Sequence, residues 1–157
     1  VVSSAARTTS LTGRIDAFCA RSRLACLEVR VHREGDTDYR SGRKAAIALL
    51  AEAAFDGVFC VSDLLALGFL DAARSLCGRR IPDDLSIIGF DNIPQASWDA
   101  YQLTTFHQPA AQLTEGVMQI LRHRKEHAAP PHARVSVPVQ LVERSTVRAR
   151  AAEREPA

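Results

Sequence analysis

Apolar and polar positions along this chain of 157 residues alternate between a helical and an extended period. Residues 4–22 are polar except at Leu11, Ile15, Phe18 and Cys19, a spacing near 3.6 that predicts a helix. Residues 26–31 (Cys-Leu-Glu-Val-Arg-Val) switch to period two and predict a strand. After a loop at Gly35-Asp36-Thr37-Asp38, the Ala- and Leu-rich residues 41–54 predict a second helix. Residues 55–61 (Phe-Asp-Gly-Val-Phe-Cys-Val) form a short, nearly continuous apolar run, as a buried parallel strand does. A helix over 64–77 follows, opened by Ser62-Asp63 and closed by Gly78. Residues 85–90 (Leu-Ser-Ile-Ile-Gly-Phe) predict another buried strand, ending at Asp91-Asn92. A β-rich run at 103–107 and an amphipathic helix over 109–124, with Leu113, Val117, Ile120 and Leu121 on one face, come next. Ala128-Ala129-Pro130-Pro131 breaks that helix, residues 135–142 predict a last strand, and the Arg/Ala/Glu-rich tail after Thr146 is expected to fray. Strands alternating with helices mean an α/β protein, a parallel sheet with flanking helices and right-handed crossovers.

Composition narrows the class only a little. Hydrophobic residues make up 46% and charged residues 24%, ordinary for a globular domain, and a net charge of +2 gives no case for nucleic acid or anionic membrane by charge alone. Cys19, Cys26, Cys60 and Cys77 match neither a Cys-x-x-Cys pair nor zinc-ligand spacing, which points to reduced thiols and a cytoplasmic setting. No apolar stretch approaches the length needed to span a bilayer, and the first residues lack signal-peptide regions. Position 1 is not Met, so the N-terminus is expected to lie upstream.

In an open parallel sheet, ligands bind beyond the carboxyl ends of the strands. Ser62-Asp63 and Asp91-Asn92 are placed there, and side chains of this kind suit a sugar or nucleoside, whose hydroxyls donate to a carboxylate. Each has a plainer role as well: Asp63 is a natural helix N-cap, and Asp91-Asn92 before Ile93-Pro94 is a turn sequence. His123-Arg-Lys-Glu126-His127 has the His-x-x-Glu-His form of one zinc-peptidase group, but its charged helix end reads as a solvated face, so no metal or other cofactor is expected. Neither a phosphate loop nor a nucleophile elbow is present, which argues against an enzyme.

Four segments carry a resemblance. Asp56-Gly-Val-Phe-Cys-Val-Ser-Asp-Leu-Leu-Ala-Leu-Gly68, Arg80-Ile-Pro-Asp-Asp-Leu-Ser-Ile-Ile-Gly-Phe-Asp-Asn92, Leu103-Thr-Thr-Phe-His-Gln-Pro109 and Val137-Pro-Val-Gln-Leu-Val-Glu-Arg-Ser-Thr146 resemble, in order and spacing, the lactose/galactose-repressor (LacI/GalR) type of transcriptional regulator. The resemblance implies a periplasmic-binding-protein-like (type I) sensor lobe. Residues 1–147 would form the effector-sensing domain: a C-terminal lobe of about 1–103 plus 134–147, and a return helix, about 104–133, packing in the N-terminal lobe. Residues 148–157 would be tail, and the DNA-binding head and most of the N-terminal lobe would be absent.

It further implies a probable-repressor function: a sugar-like or nucleobase-like effector, operator DNA read through an absent helix-turn-helix head, a homodimer using the 64–77 helix and the segment after Asp91, and no membrane. The alternative with the same fold is a solute-binding protein of a sugar transporter. Carried over residue by residue, Asp91 would face ligand hydroxyls, Ser62 would contact the sugar, and Asp63 would be at least partly structural. Thr37 stands where an aromatic ring commonly stacks on the ligand, with Tyr39 nearby. Ser10, three residues before Gly13, stands where an effector-gripping Arg is usual. Arg7 and Arg14 are near, but at about 100° per residue neither points the way Ser10 does.

Overall fold

A computed structural model describes residues 1–126 and 135–149. The elements run β1 (Val2–Ser3), α1 (Thr9–Leu24), β2 (His32–Arg33), α2 (Tyr39–Glu52), β3 (Gly57–Phe59), α3 (Asp63–Ser75), β4 (Ser86–Asp91), a 3-10 turn (Pro94–Ser97), β5 (Thr104–His107), α4 (Ala110–Glu126) and β6 (Gln140–Val142). β3, β4 and β5 are parallel neighbours, and β6 joins β5 antiparallel. β1 pairs in parallel with β2, and a parallel bridge from Val2 to Cys60 connects that pair to β3. The order across the sheet is therefore β2-β1-β3-β4-β5-β6. The expected α/β sheet with flanking helices is present, with a correction at its last strand, which runs against the others.

Three other expectations are corrected. Residues 26–31 are not a strand: the only ladder there is His32–Arg33 against β1. The closing strand is Gln140–Val142 alone, with residues 135–139 outside any ladder. The first helix begins at Thr9 rather than near residue 4, because the Thr8 side chain accepts from the Leu11 N–H and sets the start there. Gly78, at φ 61°, turns the chain after α3 as anticipated.

Right-handed crossovers put α1 on one face of the sheet and α2 with α3 on the other. On the α1 face, Phe18 stacks on Phe59 with ring centroids 4.9 Å apart, and Phe106 links Phe59 to Phe90. On the other face α2 and α3 pack closely, burying Ala45, Ala46 and Leu49 against Leu65, Phe69 and Leu70. Two glycines permit that approach: a Cβ on Gly42 would lie 2.1 Å from the Leu65 carbonyl oxygen, and one on Gly68 1.9 Å from that of Tyr39. Asp71 on α3 receives both tyrosine hydroxyls, Tyr39 at 2.6 Å and Tyr101 at 3.1 Å, tying α2 and the post-β4 segment to α3.

α4 stands apart from this core. Leu113, Val117 and Leu121 are exposed, and its Gly116 sits near Val135 and Val137. Among the described residues no helix is long and apolar enough to cross a membrane.

Close backbone packing makes Gly68 and Gly13 opposite cases. Gly68→Ala must push α2 away and is expected to lower unfolding free energy by about 1–3 kcal/mol. Gly13→Ala meets nothing within 4 Å and is expected to raise it by roughly 0.5–1 kcal/mol through helix propensity. Urea unfolding of both variants checks this; similar effects of the same sign would contradict the packing account.

Candidate functional site

The order β2-β1-β3 reverses direction between β1 and β3, and α1 and α3 leave that point on opposite faces of the sheet. This is the topological switch point at which open α/β sheets form a crevice. Its rim is made by the segments leaving the carboxyl ends of β1, β2, β3 and β4: Ser4, Thr37, Ser62 and Asp91. Thr37 donates its hydroxyl to Ser4 Oγ at 2.7 Å, closing the rim between β1 and β2.

Asp63 organises this edge from below. Expected as an N-cap, it is instead the first residue of α3, and the cap is Ser62, whose Oγ accepts from the Leu65 N–H at 3.4 Å. The Asp63 side chain is free to turn into the sheet, where it is fully buried. It accepts from Thr105 Oγ on β5 at 2.6 Å and from the Ile93 N–H after β4 at 2.9 Å. The Asn92 N–H also bonds to it. Gly89 is required by the same packing, since a Cβ there would lie 2.2 Å from Asp63 Oδ1. Burial pushes the Asp63 carboxyl up from its ordinary range, against the pull of these hydrogen bonds.

The two N–H groups gathered by Asp63 shape the turn that presents Asp91. Asp91 has φ 122° and Asn92 φ 55°, both in the left-handed half of backbone space, where a non-glycine residue costs of the order of 1–3 kcal/mol. The Asp91 carboxylate meets Arg14, which reaches over from α1: Nη1 lies 3.2 Å from Asp91 Oδ1 and donates to the Val61 carbonyl at 2.6 Å. The guanidinium carbon stands 3.8 Å from the centroid of the Phe90 ring, within cation–π range. Gln108 Nε2 donates to Asp91 Oδ1 at 3.4 Å. Partial burial raises the Asp91 pKa, and the Arg14 charge pulls it back down. Asn92 is held at its own Oδ1 by Arg144, which also donates to the Leu103 carbonyl.

The structure thus gathers Ser62, Asp63, Asp91 and Thr37 around the carboxyl edge. Ser10 is an exposed residue of α1 and is not drawn into these bonds. Arg14 corrects the angular argument: four positions after Ser10 it lies only about 40° further round α1, on the same helix face, and its long side chain reaches Asp91. Tyr39 is committed to Asp71 on α3. Arg14, Gln108 and Arg144 were not among the residues predicted for the site. Arg144 carried a usable signal, its place in the closing Glu-Arg-Ser-Thr segment. Among the described residues no group of three His, Cys, Asp or Glu side chains could hold a metal ion. His127, half of the His-x-x-Glu-His pattern, lies outside the described residues, as does the break at 128–131.

A cavity of about 650 Å³ opens at the opposite, amino edge of the sheet, with Phe18, Leu49, Phe55 and Phe59 in its lining. Glu28, Arg30 and Asp56 also line it, and it lies away from the switch point.

The model of the periplasmic binding protein-like domain family matches residues 3–147. The HTH-type transcriptional repressor PurR of Yersinia pestis bv. Antiqua (strain Antiqua) is 36% identical over 115 residues, covering 73% of this chain and 33% of the relative. The chain therefore spans about a third of the length of the curated relatives it matches. A LacI family transcriptional regulator from Enterococcus faecalis V583, solved with bound ribose, superposes with a TM-score of 0.74 at 27% identity, over 93% of this chain and 53% of that one. The lac repressor dimer bound to operator and the anti-inducer ONPF superposes with a TM-score of 0.82 at 24% identity, over 94% of this chain and 52% of that one, a likeness of fold. These relatives are transcriptional regulators by name.

Removing the Asp63 carboxylate strands the Ile93 N–H and the Thr105 hydroxyl, so Asp63→Ala is expected to cost about 2–5 kcal/mol. Asp63→Asn keeps an acceptor and tests the charge. With its folded pKa raised, Asp63 binds its proton more tightly folded than unfolded. Its contribution is therefore complete below the ordinary carboxyl range and is lost as pH rises through the folded value. Denaturant titrations across that range are expected to show a flatter pH dependence in Asp63→Asn, and an unchanged slope would contradict the burial argument.

Proposed function

Because the chain belongs to the family of periplasmic binding protein-like domains, we propose that it is the effector-sensing part of a cytoplasmic LacI/GalR-type transcriptional regulator, a repressor by kinship. Residues 1–103 and 134–147 act as its C-terminal lobe and the α4 segment as the return helix of the other lobe. Operator DNA is contacted through a helix-turn-helix segment that residues 1–157 do not include. The chain senses a molecule and does not transform it: the carboxyl edge offers hydrogen-bonding and ionic groups without an activated nucleophile.

One observation carries this reading. Asp91 is held in an unfavourable backbone conformation at the end of a central strand, with a third of its side chain exposed (34%). Backbone strain of this kind is retained where the surrounding structure over-determines it, typically at a ligand site. A carboxylate in that position accepts hydrogen bonds from two neighbouring hydroxyls or from the N–H groups of a base. Thr37, half-buried, adds a side chain to the rim, while Ser4, Ser62 and Asp63 are buried beneath it as structural support. A sugar-like or nucleobase-like effector fits this set. Closing the second lobe over the edge would favour one hinge state, and the paired sensors would pass that change to the DNA-reading heads by population shift. The pairing surface in this reading is α3 with the segment after β4, where Leu64 and Trp98 are exposed.

The test separates binding from folding. Asp91→Gly removes the carboxylate and relieves the positive φ. It is expected to leave stability unchanged or raise it by about 1 kcal/mol, while weakening effector binding by roughly a hundredfold, the loss of about two charge-assisted hydrogen bonds. Calorimetry of the wild-type and variant chains against D-ribose, cellobiose and purine bases, with urea unfolding alongside, reads both quantities. Unchanged affinity for whichever probe binds would defeat the assignment of Asp91.

A further inference from the structure

The atoms that Arg14 uses define those it has left. Both of its intramolecular polar contacts, to the Val61 carbonyl and to Asp91 Oδ1, run through Nη1, and its guanidinium is braced on the Phe90 ring. Nε and Nη2 form no hydrogen bond within the described residues, although the side chain is only 15% exposed. They make up the side-on edge of the fork, the pair of parallel N–H groups that matches a carboxylate in bidentate fashion. Asp91 is complementary. Its Oδ1 takes Arg14 and Gln108, and Oδ2 accepts nothing within the described residues. A pre-braced two-donor edge thus stands beside an open carboxylate acceptor, four positions along α1 from the Ser10 hydroxyl and on the same helix face.

We propose that Arg14 sets the specificity of this edge and that the ligand class is a hydroxy acid, such as an aldonate or a uronate. The ligand carboxylate is taken side-on by Arg14 Nε and Nη2, and a hydroxyl close to it donates to Asp91 Oδ2. This rests on the sensing function proposed above and narrows it. An uncharged sugar can satisfy Asp91 but leaves the Arg14 edge without an anion. A dicarboxylate without hydroxyls satisfies Arg14 but sets a second negative charge against Asp91. Only a molecule with both groups satisfies both sides. The fork also explains how the edge can dispense with an arginine at position 10, since a guanidinium arrives from one helical turn further on.

The experiment is isothermal titration of the full chain with two matched pairs, D-ribonate against D-ribose and D-galacturonate against D-galactose. It is run on the wild type, Arg14→Met and Arg14→Lys, each verified as folded by thermal melting. The wild type is expected to prefer the acid in at least one pair by about tenfold or more. Arg14→Met is expected to lose that preference, the affinity for the acid falling about tenfold further than that for the neutral sugar, and Arg14→Lys, a point charge without the fork, to keep part of it. An acid preference that survives Arg14→Met overturns the proposal. So does binding of the neutral sugar as tightly as the acid by the wild type, a result that leaves the sensing function standing. Binding of no acid, sugar or purine base at all overturns both. If Arg14→Met unfolds, Arg14→Lys decides alone: full retention of the preference would count against the side-on fork.

Discussion

The buried Asp63 carboxylate is the constraint from which the functional edge follows. It can enter the core because Ser62 takes over the capping of α3 and because Gly89 has no side chain where Oδ1 lies. Once there it needs donors, and the fold supplies the Thr105 hydroxyl from β5 and successive N–H groups of Asn92 and Ile93 from the turn after β4. Charge-assisted bonds of this kind contribute about 1.5–3 kcal/mol each, enough to hold two consecutive residues at positive φ. The strained turn in turn points Asp91 to the crevice. The geometry of the turn and the placement of the outermost carboxylate therefore depend on one side chain buried beneath the edge.

Arg14 completes the edge from the other face of the sheet. Its guanidinium is fastened by the Val61 carbonyl, the Phe90 ring and Asp91, and Phe90 belongs to the aromatic row Phe18-Phe59-Phe106-Phe90 that seats α1. Packing of α1 and chemistry of the edge are thereby coupled. In the proposed sensor, a ligand engaging Arg14 or Asp91 would act on α1 through this row and on α3 through Asp63, the two helices that leave the switch point on opposite faces.

Much of this was legible in the sequence where the physics is local. The apolar runs over β3 and β4 and the helix between them stand close to where periodicity puts them, because strands buried on both faces have no polar alternation to confuse the pattern. Asp91 was visible as a strand-end carboxylate. The misreadings all concern tertiary competition. Residues 26–31 alternate as a strand should, but β1 offers ladder partners only to His32 and Arg33, so the alternation finds no neighbour. Asp63 has the chemistry of a cap, yet Ser62 one residue earlier has it too, and burial of the carboxylate against Thr105 settles which of them caps. Arg14 was set aside on a per-residue angle, whereas four residues add up to little more than one full helical turn and return it to the face of Ser10, from which its length carries it to Asp91.

The polar carboxyl edge at Arg14, Thr37 and Asp91 and the cavity at the amino edge lined by Phe18, Leu49 and Phe55 are alternative places for a small ligand. In the proposed function recognition takes place at the carboxyl edge. Amide chemical-shift mapping of the isotope-labelled chain during titration with D-ribonate and with D-ribose tests this most directly. Perturbations are predicted to concentrate at residues 4, 14, 37, 61–63 and 91–93, with the amino edge silent. Shifts confined to Phe18, Leu49, Phe55 and their neighbours would contradict it.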